Sequence, residues 1–260
     1  MAAHRARKRF GQHFLTDPGV IDAIIDAIHP TGDDTIVEIG PGQGAITATL
    51  ARTAGHLHAI ELDRDLAARL RADYADAGNV TIHEADALAF DFSRLGKGLR
   101  IVGNLPYNIS TPLLFHLLAF RDSIVDMHFM LQKEVVERIV ATPGSKAYGR
   151  LGIMLGCHLH AESLFDVGPE AFDPPPEVMS AVVRLDPLPP GTHDIQDERA
   201  LSTLVATAFN QRRKTLRNAL KKLVTDADIV AAGIDPGLRP EQVGIEAYIR
   251  LANRLPDKSG

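Results

Sequence analysis

Hydrophobic residues in the first 190 or so positions gather into short runs. These are TIVEIG (Thr35–Gly40), HLHAIEL (His56–Leu62), VTIHEA (Val80–Ala85), LRIVGN (Leu99–Asn104) and VDMHFML (Val125–Leu131). Runs this short and rich in β-branched residues read as buried strands. Between them the apolar residues take helical spacing. Asp17 and Pro18 are a cap and a first helical residue for a helix over 18–28, with Val20, Ile21, Ile24, Ile25 and Ile28 on one face. Further helices are expected at about 44–53, at about 64–73 and after Pro112. Strand alternating with helix predicts an α/β fold, a mostly parallel sheet covered on both faces. Two longer strand-like stretches, Leu151–Ser163 and Ser180–Asp186, flank the proline-rich GPEAFDPPPEV, which predicts a late antiparallel hairpin.

After Asp186 the texture changes. Pro187–Asp194 is a turn-rich linker, and helices are expected at about 197–209, 212–224, 226–232 and 240–254 with no convincing strand. The expected division is a large α/β domain over 1–188 and a small helical domain over 189–260.

Composition narrows the function classes. The chain has 260 residues and is 45% hydrophobic, enough for a real core. No apolar run approaches the roughly 20 residues that span a bilayer, so no membrane is expected. The first residues are basic but lack an apolar core or serines, so no cleaved targeting segment is expected and the chain reads as cytoplasmic. Cys157 is the sole cysteine and argues against thiol chemistry. His158 and His160 stand two apart without Cys, Asp or Glu at ligand spacing, so no metal is expected. With no heptads or disulfide framework, monomer is the default.

The net charge of −5 hides two acid-free basic stretches. One holds Arg5, Arg7, Lys8 and Arg9. The other, FNQRRKTLRNALKK, holds Arg212, Arg213, Lys214, Arg217, Lys221 and Lys222, interleaved with amides. Cation clusters in an acidic protein point to a polyanionic partner, nucleic acid above all, although a solvated helix face has the same pattern.

VEIGPGQGAIT leaves the first strand and opens a helix, where Gly40, Gly42 and Gly44 allow a ligand close to the backbone. Glu61 ends the next strand, twenty-one residues after Gly40, where an acid can hold a ribose diol. The third glycine comes one residue early for a dinucleotide loop, and Glu38 faces an ammonium better than a pyrophosphate. Asp86, just after the third strand, can accept from an adenine amine. A phosphate-free, amine-bearing adenosine fits better than NAD. S-adenosylmethionine is such a molecule.

GNLPYNIS follows LRIV. Pro106 fits neither strand nor helix interior, so Asn104, Leu105, Pro106 and Tyr107 form a rigid loop at the carboxyl end of a strand, where open α/β sheets place ligand chemistry. Taken together, RFGQHFL, VEIGPGQGAIT, IELDRD, GNLPYNIST, HFMLQKEVVERI, SKAYGRLGIM, FDPPPEVMSAVVRL and FNQRRKTLRNAL resemble the signature blocks of the ribosomal RNA adenine dimethyltransferases along nearly the whole chain. HFMLQKEV, SKAYGRL and FNQRRKTLRN favour the bacterial small-subunit branch over the macrolide-resistance methylases of large-subunit RNA. The resemblance implies a Rossmann-like methyltransferase sheet, S-adenosylmethionine as cofactor, and the small ribosomal subunit and its rRNA as partners. It further implies that Asn104, Leu105, Pro106 and Tyr107 hold the target adenine, that Phe172 supplies a second stacking ring, and that His13 and Leu15 contact the cofactor with Gly40, Gly42, Glu61, Asp86 and Asn104. A non-catalytic assembly factor is the alternative from another class.

Overall fold

The computed structural model describes residues 13–255, so Arg5, Arg7, Lys8 and Arg9 lie outside the described residues. Nine strands are present among them: β1 (Phe14–Leu15), β2 (Thr35–Ile39), β3 (His56–Glu61), β4 (Val80–Glu84), β5 (Leu99–Asn104), β6 (Ile124–Gln132), β7 (Leu159–Val167), β8 (Phe172–Asp173) and β9 (Ser180–Pro187). The described α-helices are α1 (Pro18–Ile28), α2 (Thr47–Thr53), α3 (Arg64–Asp73), α4 (Ser110–Leu118), α5 (Lys133–Ile139), α6 (Arg150–Gly156), α7 (Glu198–Asn210), α8 (Leu216–Leu220), α9 (Asp226–Ala231) and α10 (Ile245–Ala252).

The chain divides into two compact units, 1–136 with 161–187 and 137–160 with 188–260. The first unit carries a seven-stranded sheet in the order β4-β3-β2-β5-β6-β9-β7. β4, β3, β2, β5 and β6 pair in parallel, and β9 runs antiparallel to β6. This is the expected mostly parallel sheet with a late hairpin. Parallel register brings the carboxyl ends of β2, β3 and β5 to one edge, so Ile39, Glu61 and Asn104 emerge together.

At the opposite edge a charge network fixes α1 to the sheet. The Asp17 side chain accepts from Val20 N–H at 3.0 Å and Pro18 opens the helix. Its last carbonyls, of Ile28 and His29, accept from the Arg100 guanidinium, which also reaches Asp126 at 2.8 Å and Asp34 at 2.9 Å. Cations at a helix carboxyl terminus are favourable, and here both carboxylates compensate the buried charge. Burial works against the Asp34 carboxylate, but the Thr31 N–H and Arg100 outweigh it and hold its pKa below the ordinary value. The apolar face of α1, Ile24 and Ile28, packs with Ile36, Val102, Met130 and Val182 into the core of this unit.

The second unit is built on a core of Tyr148, Ile153, Leu201, Leu204, Val205, Leu216 and Tyr248. Both tyrosine hydroxyls are satisfied, donating to the carbonyls of Val243 at 3.1 Å and Pro240 at 2.8 Å. One expectation fails here. The stretch from Leu151 is not one long strand: Arg150–Gly156 is the helix α6, and only Leu159–Val167 is extended. Leu151, Gly152, Ile153, Met154 and Leu155 are all buried, so the segment shows no polar face and its period cannot be read. Gly152 seats the helix, since a Cβ there would meet the Arg138 carbonyl oxygen at 2.6 Å. A single boundary at 188 therefore misses the excursion of 137–160 into the helical unit. The helix expected over 212–224 is also shorter, because its basic start forms turns before α8.

On β3 and β4 the alternation places His56, His58 and His83 side by side. His58 Nδ1 and His83 Nε2 share a hydrogen bond of 3.1 Å, and the His56 and His58 rings lie 4.4 Å apart. Burial, then the neighbouring imidazoles, push the His58 pKa down to about 4. Folding thus holds His58 neutral, and as pH falls the unfolded chain takes up a proton first. Stability is present in full above about pH 6.5 and declines as pH falls from there toward about 4. Urea denaturation at about pH 7.5 and about pH 5 should show this decline, and His58→Phe should flatten it.

Candidate active site

A cavity of about 200 Å³ opens at the carboxyl edge of the sheet, lined by the glycine loop after β2, the ends of β3 and β5, and the turn after β4. His13, Leu15, Gly40, Gly42, Glu61, Asp86, Asn104, Leu105, Pro106 and Tyr107 all stand on its wall. Gly44 and Phe172 do not. The six cations between Arg212 and Lys222 belong to the second unit.

Backbone geometry builds the acidic half. Gly42 has φ +58° and donates its N–H to Glu61 Oε2 at 3.1 Å, while the Asp63 N–H bonds Glu61 Oε1 at 2.8 Å. The carboxylate is thereby aimed, with lone pairs left for hydroxyl donors. Burial raises the Glu61 pKa, against the pull of these N–H bonds. Glu38, one position before the end of β2, is 1% exposed and accepts from Thr47 Oγ1 at 2.7 Å. Its pKa is pushed up to about 8 by burial, with the Glu61 charge adding to the shift. Among the described residues no Lys or Arg pairs with either acid. Two buried acids, with no cation beside them among the described residues, suit a cation and a diol better than a pyrophosphate. Asp86 caps its own turn through Leu88 N–H at 2.9 Å, and its second oxygen remains an acceptor at the cavity wall.

The other half is built around Asn104. An asparagine amide is nearly symmetric in outline, and the group beside it decides which end faces where. Here the neighbour is the His13 carbonyl, 3.1 Å from Nδ2, which can only accept. The NH₂ end is thus engaged and Oδ1 is left as an acceptor in the cavity. His13 is in turn fixed by its strand. β1 pairs antiparallel with β8, Phe14 opposite Asp173 and Leu15 opposite Phe172, and the His13 ring bonds the Pro174 carbonyl at 2.8 Å. Tyr107 lies half-buried, its ring stacked on that of His13 at 6.0 Å and its hydroxyl 2.9 Å from Ser180 Oγ.

Phe172 departs from the expectation of a second stacking ring. Its place opposite Leu15 turns the side chain inward, where it is 5% exposed and packed with Leu15 and Ala171. The imidazole of His13, not Phe172, is the ring that the structure sets beside Tyr107. Of the basic stretch, Arg212 donates to the Lys146 carbonyl at 2.8 Å and Arg217 pairs with Asp226 at 2.7 Å, whereas Arg213, Lys214, Lys221 and Lys222 are exposed.

Sequence reading missed several contributors. Thr47 and Ser180 hold Glu38 and Tyr107 by contacts that no spacing reveals. His128 lines the cavity, is 3% exposed, and neither ring nitrogen has a hydrogen-bond partner among the described residues. Gly103 was the legible one, since a glycine inside a strand marks close backbone approach. A Cβ at Gly103 would lie 2.5 Å from the Ile39 carbonyl oxygen.

A family model described as ribosomal RNA adenine dimethylase matches residues 3–257. The ribosomal RNA small subunit methyltransferase A of Dechloromonas aromatica is 57% identical over 255 residues, covering 98% of this chain and 100% of that protein. The protein of the same name from Thiobacillus denitrificans is 59% identical over 245 residues, covering 94% and 96%. Among solved structures, a dimethyladenosine transferase from Plasmodium falciparum aligns with TM-score 0.80 at 26% identity over 92% of this chain and 96% of that one. The 23S rRNA methyltransferase ErmE aligns with TM-score 0.75 at 25% identity, over 93% and 99%.

Because the atom facing Gly103 is backbone, it cannot rotate away. Gly103→Ala should lower stability by roughly 1–3 kcal/mol in urea denaturation and displace Asn104, so that ligand binding in the cavity falls more than stability accounts for.

Proposed function

This chain belongs to the ribosomal RNA adenine dimethylase family, and we propose on that premise that it moves methyl groups from S-adenosylmethionine to the exocyclic amines of two adjacent adenosines in the 3′-terminal hairpin loop of small-subunit rRNA. The observation that carries the reading is the orientation of Asn104, whose Nδ2 is held by the His13 carbonyl in the same cavity as Glu38 and Glu61. The small-subunit assignment is supported by relatives of that name at 57% and 59% identity, against 25% for the 23S enzyme ErmE. We infer further that the chain acts as a monomer on ribosomal subunits in the cytoplasm.

The residues present fit the cofactor. Glu38, buried with no cation beside it among the described residues, would meet its positive charge; Glu61 would hold the ribose diol and Asp86 the adenine amine; Gly40 and Gly42 would admit it close to the backbone, with His13 and Leu15 closing the wall. When bound, S-adenosylmethionine supplies a methyl already activated by the sulfonium charge.

The chain's work is then positioning. An adenine amine is a weak nucleophile because its lone pair is delocalised into the ring. Asn104 Oδ1 and the Leu105 carbonyl can each accept one amine hydrogen, which favours a pyramidal nitrogen with its lone pair exposed. Pro106 and the hydrogen bond from Leu105 N–H to the Met130 carbonyl, 3.2 Å, keep this loop stiff. Tyr107 offers a half-buried aromatic face for the extruded base. Holding nitrogen and methyl in line supplies most of the rate. The departing proton passes to water, because a neutral amide and a carbonyl bind it weakly. The exposed cations hold phosphates and give affinity rather than sequence choice.

Labelled methyl should pass from S-adenosylmethionine to small subunits lacking the modification, and not to large-subunit RNA or duplex DNA. Asn104→Ala should reduce transfer at least about 10²-fold while the cofactor still binds; near-normal turnover in that variant would sink the mechanism. Tight subunit binding without transfer by the native chain would instead favour a pure assembly factor.

A second expectation follows from Glu38. A cation beside it favours the carboxylate, so below about pH 8 binding must release a proton. Cofactor affinity should therefore rise with pH toward about 8, by up to about tenfold per unit. Calorimetry in buffers of different ionisation enthalpy should show the proton released by the native chain and a much smaller release by Glu38→Gln.

A further inference from the structure

The segment Pro174–Met179 is anchored at both ends to the two rings of the cavity rim. The Pro174 carbonyl is bonded by the His13 ring at 2.8 Å, and Ser180, next after Met179, is bonded to the Tyr107 hydroxyl at 2.9 Å. A third tie is the Lys133 N–H to the Met179 carbonyl, 2.9 Å. Pro174, Pro175 and Pro176 follow one another, with Pro176 buried, so the backbone has little freedom left to lose. Yet this braced loop presents Val178 and Met179 to solvent, 43% and 41% exposed, with the exposed Glu177 before them.

A rigid apolar tip has two natural fates, to be covered or to intrude. Glu177 makes the tip itself unsuited to phosphate, while Val178 and Met179 suit an apolar face. The site beside it requires an adenosine taken out of its stack, and extrusion leaves an apolar gap between the bases on either side. Apolar side chains inserted at base steps are a recurrent way of holding such a gap open.

Resting on the methyltransfer reading above, we propose that Val178 and Met179 form a wedge that packs on the base stack beside the extruded adenosine. The wedge is continuous with the site through Ser180 and Tyr107, so the loop that opens the stack and the ring that receives the base move as one piece. The partner is the unstacked faces of rRNA bases.

The test uses the full chain, hairpin-loop RNA and small subunits carrying 2-aminopurine beside the target adenosine, and the double variant Val178→Ser, Met179→Ser. With native protein the probe should brighten on binding as its stack opens. The double variant should lose the brightening and slow single-turnover transfer about tenfold, the scale expected from losing two apolar contacts, with unchanged affinity for S-adenosylmethionine. Val178→Ile with Met179→Leu should restore both. Brightening and rate equal to native in the serine variant would overturn the wedge. A loss of subunit affinity in that variant, with the response to isolated hairpin RNA intact, would also overturn it and assign the tip to a ribosomal protein. Absence of transfer by the native chain itself would instead fault the underlying reading.

Discussion

The hydrogen bond from Asn104 Nδ2 to the His13 carbonyl is the contact on which the site depends. It connects the end of β5 to the strand β1, two residues long, and so makes the start of the described chain part of the cavity wall. β1 has no independent stability at that length and exists because β8 pairs with it. The Thr16 N–H to the Ala171 carbonyl, 2.8 Å, extends the same clasp. One polar orientation, that of the Asn104 amide, is thereby made to rest on two segments about 160 positions apart, and any change that loosens β8 reaches the acceptor through His13.

The two edges of the sheet handle charge in opposite ways. At the amino edge of β5, Arg100 is matched by Asp34 and Asp126 and finishes α1, so the buried charges there are compensated and stabilising. At the carboxyl edge Glu38 and Glu61 are buried with pKa values displaced upward and, among the described residues, no cation to offset them. A fold selected for stability alone would not keep the second arrangement. On the proposed reading the cost is local and would be relieved when a cation and hydroxyl donors enter the cavity that both acids line.

Most of this was legible where a residue's role is bound to the end of a single element. Leu99–Asn104 is found as written, α1 begins at Pro18 under Asp17, and Gly40, Glu61, Asp86, Asn104 and Tyr107 all reach one cavity because each sits where a strand stops. What could not be read is whatever depends on which segments cross. Phe172 has the composition of a stacking ring, but pairing of β8 with β1 decides its direction. Thr47 and Ser180 are unremarkable in sequence and become important through one hydrogen bond each. α6 was illegible for a different reason: a helix buried all round has no polar face, and its period vanishes from the pattern.

Cation placement explains how an acidic site can serve a polyanionic substrate. Arg212 and Arg217 are engaged by a carbonyl and by Asp226, so on the proposed reading it is the exposed Arg213, Lys214, Lys221 and Lys222 that would meet phosphate. Their attraction is long-ranged and indifferent to sequence. Glu61, buried at the cavity wall of the first unit, disfavours an anion there over a short distance. On the proposed reading a phosphate is disfavoured in the cavity, while a neutral base meets no such barrier and has Asn104 Oδ1 and the Leu105 carbonyl as its acceptors. In that reading charge favours a base over its own backbone, and the Asn104 amide is left to distinguish among bases.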